Sequence, residues 1–238
     1  MKRELLDALN EKRAAGKPVA VATLLNSCDQ WLIDSSSDGG ATKKIADVVR
    51  SAIAEDRSQL IQLDGSELFV QVHNPPLRMV IVGAVHIAQS LSLMAVETGY
   101  NVTVIDPRGA FATAERFPNI EVSKEWPDEA LESLRPDSRT AIVTLTHDPK
   151  LDDAALQIAL ESNAFYIGSL GSKKTHGARI RRLERLGLKE ALINRIHGPI
   201  GLSIGAKSPA EIAVAILAEI TQTRRLSDAQ LVSAREEK

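Results

Sequence analysis

Residues 83–88 read Gly83-Ala84-Val85-His86-Ile87-Ala88, and Asp106 follows 23 positions after Gly83. A glycine turn that opens a helix, with an acid about 20 residues on, lays a pyrophosphate on the helix N-terminus and a ribose on the carboxylate. Gly83 permits the turn, and Ala88 is small enough for helix–strand packing. Val85 stands where a second glycine would let a phosphate touch the backbone, so its β-branch pushes the phosphate away or forces another backbone path. Asp106 is expected to point its carboxylate into a crevice and to accept hydroxyl or ring N–H groups. The alternative is that it pairs with Arg108 and fixes the loop. Arg108 is also placed to face a 2′-phosphate.

A second group, Gly168-Ser169-Leu170-Gly171-Ser172-Lys173-Lys174-Thr175, resembles a P-loop at a glance. A Walker A segment needs lysine directly after its second glycine and a glycine five residues before it. Ser172 and Tyr166 hold those places, so ATPase chemistry is not expected. The anion-binding physics survives: Gly168, Gly171 and the Ser172 cap open a helix N-terminus, with Lys173, Lys174 and Arg179 nearby. The alternative is a solvated basic helix. His86, His147 and His176 fall at strand ends or helix starts. His147 and Asp148 could orient one another, with His147 donating to a ligand oxygen. The histidine spacing fits no helical zinc signature, and no residue is assigned a catalytic role.

These residues need strands to carry them. Met79–Val82 is a short apolar run of the kind a buried parallel strand requires. Ile87, Leu91, Met94 and Ala95 then follow a helical period, and Gly99 stops it. Val102–Ile105 is the next strand. Ile120–Val122, Thr140–Leu145 and Ala164–Ile167 read as further strands. They alternate with helices over Asp128–Leu134, Leu151–Glu161, Lys173–Leu186 and Glu190–Ile196. Ser208-Pro209-Ala210-Glu211 opens the last helix with a capping box and a proline at its first position. The alternation predicts an α/β chain with a Rossmann-like, parallel, doubly wound sheet, whose ligands sit beyond the carboxyl ends of the strands.

Ahead of it, Lys2–Ala15 and Thr42–Glu55 read as helices, and Val19–Leu25 and Trp31–Ile33 as strands. Ser58–Leu63 and Glu67–Val72 form a hairpin about Asp64-Gly65. Pro75-Pro76 breaks the chain. The expected division is a smaller N-terminal α+β domain over 1–76, the Rossmann-like domain over 77–225, and a frayed tail over 226–238.

The net charge is −2 and aromatics are 3% of the chain. Neither suits a nucleic-acid surface, so any anion site must be local. No run approaches 18 apolar residues and no apolar segment follows the charged start, so a cytoplasmic protein with no membrane span is expected. Cys28 is the single cysteine, which excludes an intramolecular disulfide. It is expected to be a small buried residue rather than a nucleophile, and the crevice loops carry no thiol.

Taken together, Gly83–Gln89, Val104–Arg108, Phe111–Thr113 with Glu115–Pro118, Thr146–Asp148, Tyr166–Ser172 and the segment His197–Ala206 before Pro209–Ile212 resemble the XdhC/CoxI family. These are the accessory proteins of xanthine dehydrogenase and carbon monoxide dehydrogenase. The resemblance covers about residues 58–222, and its last motif is the most specific. It implies a molybdenum-cofactor chaperone that holds molybdopterin or its cytosine dinucleotide form. The implied partners are a cysteine desulfurase and a client molybdenum hydroxylase, with a homodimer as the candidate assembly. The implied cofactor-binding set is Gly83, Ala84, Val85, His86, Asp106, Arg108, His147, Asp148, Gly168, Gly171, Ser172, Lys173 and Lys174. Many members carry glycine at the position of Val85, and those with a full N-terminal domain carry Gly-Ser-Ser-Pro-Arg and Gly-Gly-Cys segments that residues 1–76 lack. The competing readings are an NAD(P)-dependent oxidoreductase, supported by Asp106 and Arg108, and a nucleotide-sensing regulator.

Overall fold

The computed structural model describes residues 2–226. The chain divides into two compact units, Met1–Pro75 and Pro76–Lys238. The first contains α1 (Arg3–Ala14), β1 (Val19–Leu24), β2 (Gln30–Ile33), α2 (Lys43–Glu55), β3 (Gln59–Leu63) and β4 (Ser66–His73). Its strands form an antiparallel sheet in the order β2-β1-β4-β3. Alternate residues of β1 point to opposite faces. Ala20 and Ala22 pack with Ile45, Val49 and Ala52 of α2, whereas Val19 and Val21 pack with Leu9 of α1. The hairpin between β3 and β4 turns on Asp64 and Gly65, both at positive φ, which an Asp-Gly pair tolerates. Cys28 departs from expectation. It sits exposed in the turn between β1 and β2 at φ 61°, because the tight turn needs a left-handed residue there and leaves its side chain outside the core.

The second unit contains β5 (Leu77–Val82), α3 (His86–Glu97), β6 (Tyr100–Ile105), β7 (Glu121–Ser123), α4 (Pro127–Leu134) and β8 (Thr140–Thr144). There follow α5 (Pro149–Glu161), β9 (Tyr166–Ser169), α6 (Lys173–Arg185), α7 (Glu190–Ile193), β10 (Ile196–His197) and α8 (Pro209–Arg225). Its six strands are all parallel, in the order β7-β6-β5-β8-β9-β10. This is the doubly wound order, with its switch point between β5 and β8. The pleat divides the core. Met79 and Ile81 pack with Leu91 and Ala95 of α3 and with Ala213, Ile216 and Ile220 of α8. Val80 and Val82 pack on the other face with Leu131 of α4, Leu156 and Ala159 of α5 and Leu183 of α6.

Two local readings are corrected. β9 runs through Ser169 rather than ending at Ile167, because Val143 and Thr144 of β8 continue to pair with Gly168 and Ser169. Ile196 is not helical; with His197 it forms the edge strand β10 on Ile167 and Gly168. A two-residue strand carries no period to read, so its pairing exists only through its neighbour. The tail expected from Leu226 onward lies, past that residue, outside the described residues.

Candidate functional site

Parallel strands place all their carboxyl ends on one edge, so the segments after β5, β6, β8 and β9 meet beside the switch point. Gly83 ends β5 with φ 109°. A Cβ there would lie 2.7 Å from Thr146 Cγ2 and 3.1 Å from Thr146 N, so the segment after β8 closes directly over the turn. Val85 is the N-cap of α3 in extended conformation, and no side chain caps that helix. The first-turn N–H groups of α3 are therefore left for solvent or a ligand, at the positive end of the helix dipole. His86 is exposed on that turn.

Asp106 departs from expectation. It is completely buried rather than exposed in the crevice. Its Oδ2 accepts from Ala84 N (2.8 Å) and Arg108 Nη2 (2.7 Å), and its Oδ1 from Arg108 N (3.0 Å) and Arg108 Nε (2.8 Å). A carboxylate has about four lone-pair positions, and all are taken. Burial acts to raise the Asp106 carboxyl. The Arg108 guanidinium and the Ala84 and Arg108 N–H groups outweigh it and hold the carboxyl below its ordinary value. Arg108 is held further by the Phe111 ring, 4.8 Å from its guanidinium. Arg116 donates to the Phe111 carbonyl (2.8 Å) and to Gln89 Oε1 of α3 (3.2 Å). The basic, aromatic loop after β6 is thus tied back to the helix it faces.

Across the switch point, Thr146 N and Oγ1 donate to Asp152 Oδ1 at 3.2 and 2.6 Å. Burial pushes the Asp152 carboxyl up, against the pull of the Thr146 bonds and of Arg179. Arg179 is the surprise of α6. It is 2% exposed, not solvated, and donates through Nη2 to the Leu170 carbonyl (2.7 Å). Its Nε and Nη1 are buried with no hydrogen-bond partner among the described residues. His176 Nδ1 is buried and unpartnered as well, and burial together with Arg179 lowers the pKa of that ring. Arg179, Asp152 and the Thr146 hydroxyl are a buried polar layer beneath the loops. Sequence reading undervalued them because their polarity suggests surface; only the inward position of Arg179 beside Leu183 on one helical face hints otherwise.

The remaining candidates separate into roles. His147 is exposed at φ 61°, in a strained left-handed position that side chains seldom adopt. Asp148 does not orient it: its Oδ1 accepts from Lys150 N (2.9 Å) and caps α5. Gly168 lies inside β9, where a Cβ would meet Ile200 Cδ1 at 2.5 Å, so it makes room for packing. Gly171 (φ 139°) forms the turn, and Ser172 caps α6 by accepting from Thr175 N (3.2 Å). Lys173 and Lys174 are exposed on the first turn of α6. Among the described residues no group of three or more His, Cys, Asp or Glu side chains is arranged to hold a metal ion. None of their helices is long and apolar enough to cross a membrane.

A further cluster fixes the glycine-rich loop after β10. Glu219 Oε2 accepts from Tyr166 Oη (2.5 Å) and Gly201 N (2.8 Å), and Glu219 Oε1 lies 3.4 Å from His197 Nδ1. The His197 and Tyr166 rings stack at 4.5 Å. Burial acts to raise Glu219; His197, Tyr166 and the Gly201 N–H together hold it below its ordinary value. Sequence reading missed Glu219, a lone acid beside the apolar face of α8.

A family model described as the XdhC Rossmann domain matches residues 79–220. A Bacillus subtilis protein named as a probable xanthine dehydrogenase subunit is 32% identical over 161 residues, covering 67% of this chain and 47% of that one. The Escherichia coli molybdenum cofactor insertion chaperone PaoD is 30% identical over 150 residues, covering 63% of this chain and 41% of that one. The chain thus spans less than half the length of either relative. Among solved structures, one described as a xanthine dehydrogenase from Bacillus halodurans superposes with a TM-score of 0.69 at 25% identity, covering 95% of this chain and 66% of that chain.

Proposed function

Because the chain belongs to the XdhC family, we propose that it is a maturation factor that holds a molybdenum cofactor at the carboxyl edge of its parallel sheet and assists its insertion into a molybdenum hydroxylase. The observation that carries this reading is the head of α3: first-turn N–H groups with no side-chain cap, at the switch point, with Asp106 tying the Arg108 guanidinium to Ala84 N just ahead of the helix. Such a site suits a phosphate-bearing anion. Lys173 and Lys174 on the first turn of α6 add positive charge at the head of a second helix. Arg179 contributes a buried cation with unmet donors beneath the loops. The residues present therefore fit molybdopterin or its dinucleotide form, whose phosphates supply the charge and whose metal supplies the client's chemistry. This chain's part is to bind and orient the group and to shield it from water. Sulfur would come from a cysteine desulfurase partner, since the crevice loops carry no thiol. The PaoD relationship supports the insertion role.

The oxidoreductase reading is weakened by the same geometry. Asp106 has no lone pair left for a ribose, and Val85 stands where a second glycine would admit the pyrophosphate. NAD is therefore expected to bind weakly. The test is anoxic purification of the full chain with a pterin-producing host, followed by oxidation of extracted pterin to its fluorescent form and transfer to an apo molybdenum hydroxylase. Pterin bound near one per chain, with restored client activity, is expected; Lys173→Glu should reduce the bound pterin. Absence of pterin and of client reconstitution overturns the reading.

A further inference from the structure

In a dinucleotide-binding sheet, the acid at the end of the second strand takes the ribose hydroxyls. Here that acid is already engaged. Three of the four bonds to Asp106 come from Arg108, two of them from the guanidinium in a bidentate fork. A ribose diol would have to strip this charge-assisted pair from a completely buried carboxylate and replace a cation by neutral hydroxyls. Arg108 is also held in place from its other side, against Phe111. Its side chain is nevertheless 35% exposed, and its Nη1 makes no hydrogen bond among the described residues. The chain presents a cationic donor where this fold ordinarily presents an anionic acceptor.

We propose that Arg108 sets the ligand selectivity of the crevice, by closing the ribose-diol subsite on Asp106 and making that end a site for a phosphomonoester. The proposal rests on the reading of this edge as the ligand site. Molybdopterin carries one phosphate, and seating it on Arg108 leaves the rest of that ligand to lie along the carboxyl edge toward the head of α3. The two forms of the pterin cofactor differ in this chemistry. Molybdopterin itself ends in a phosphomonoester. The cytosine dinucleotide form carries that phosphate within a pyrophosphate and ends in a nucleoside with a free diol. Arg108 favours the first.

The test uses two stable probes, 2′,5′-ADP and 5′-AMP, titrated calorimetrically into the full chain. Both offer a 5′-phosphate to the head of α3, and they differ by one phosphomonoester on the ribose. Wild type is expected to bind 2′,5′-ADP about tenfold to a hundredfold more tightly, the worth of a charge-assisted contact. Arg108→Gln should abolish this preference, with 5′-AMP held or tightened as Asp106 becomes accessible. Arg108→Lys keeps the ion pair if the glutamine variant does not fold, and it should shrink the preference by losing the fork. Equal affinity for the two probes in wild type, tighter 5′-AMP, or binding of neither at millimolar concentration overturns the proposal. So does a full preference in a folded Arg108→Gln variant. No pterin enters the measurement, so this selectivity and the maturation role can fail independently.

Discussion

The Gly83 turn and the Asp106–Arg108 pair are where single atoms decide the site. Gly83 combines φ 109° with a Cβ position only 2.7 Å from Thr146 Cγ2. Gly83→Ala should therefore destabilise the protein by about 2 kcal/mol or more, read as a lower urea midpoint. Asp106→Ala removes the acceptor of the Ala84 N–H and the partner of Arg108. Truncating one side of a buried pair costs about 3–5 kcal/mol, and the 35% exposure of Arg108 lowers that here to about 2 kcal/mol. A melting temperature unchanged in this variant would show that the pair does not hold the loop. The pH dependence follows from the sign of the shift. The Asp106 carboxyl lies below its ordinary value of 3.8, so the folded state binds fewer protons than the unfolded state as pH falls through that range. Its stabilisation is complete above pH 3.8 and is lost as pH falls toward the lowered value. The stability gap between wild type and Asp106→Asn should therefore widen from pH 3 to pH 5 in thermal melts.

At the scale of elements, α8 and the loop before it act as one piece through Glu219. Tyr166 Oη and Gly201 N both depend on this carboxylate, and Tyr166 is 1% exposed. Glu219→Ala should cost about 2–4 kcal/mol by leaving both donors without an acceptor, whereas Glu219→Gln, which keeps one acceptor oxygen, should cost about 1 kcal/mol. Amide exchange at Gly201 should accelerate in the alanine variant and stay slow in the glutamine one; equal exchange in both would detach the loop from Glu219. The ends of these helices were legible in sequence because caps are local. Ser208 and Glu211 form the expected capping box, and Thr42 accepts from Ile45 N at the start of α2. β10 was not legible, since its two residues are a strand only because Ile167 and Gly168 lie alongside. Arg179 reads in sequence as one more cation near Lys173 and Lys174; its burial was not legible, because burial is a property of the packed helix.

At the scale of the molecule, the division near Pro75 has a consequence of its own. Met79 to Ile220 close their core within the second unit, with helices on both faces of the sheet. A chain of residues 76–238 is expected to fold alone, with one cooperative urea transition and a dispersed amide spectrum. Loss of cooperativity in that fragment would show that residues 1–75 complete the core.

The alternation of strand and helix, the doubly wound parallel sheet and the edge at which its loops gather can all be read from the order of the residues. Those follow from local period, turn chemistry and the common direction of parallel strands. The same order also carries the family, through motifs that lie on those loops. The contacts that the motif residues make come from packing between distant segments. Asp106 and Arg108 stand two apart in the chain, and the same pair could have been two crevice ligands or one buried clasp. The choice came from Ala84 N–H and the Phe111 ring, brought from two separate turns. Whether a charged group meets water or a partner depends on what the rest of the chain packs around it, and neighbouring residue types do not encode that.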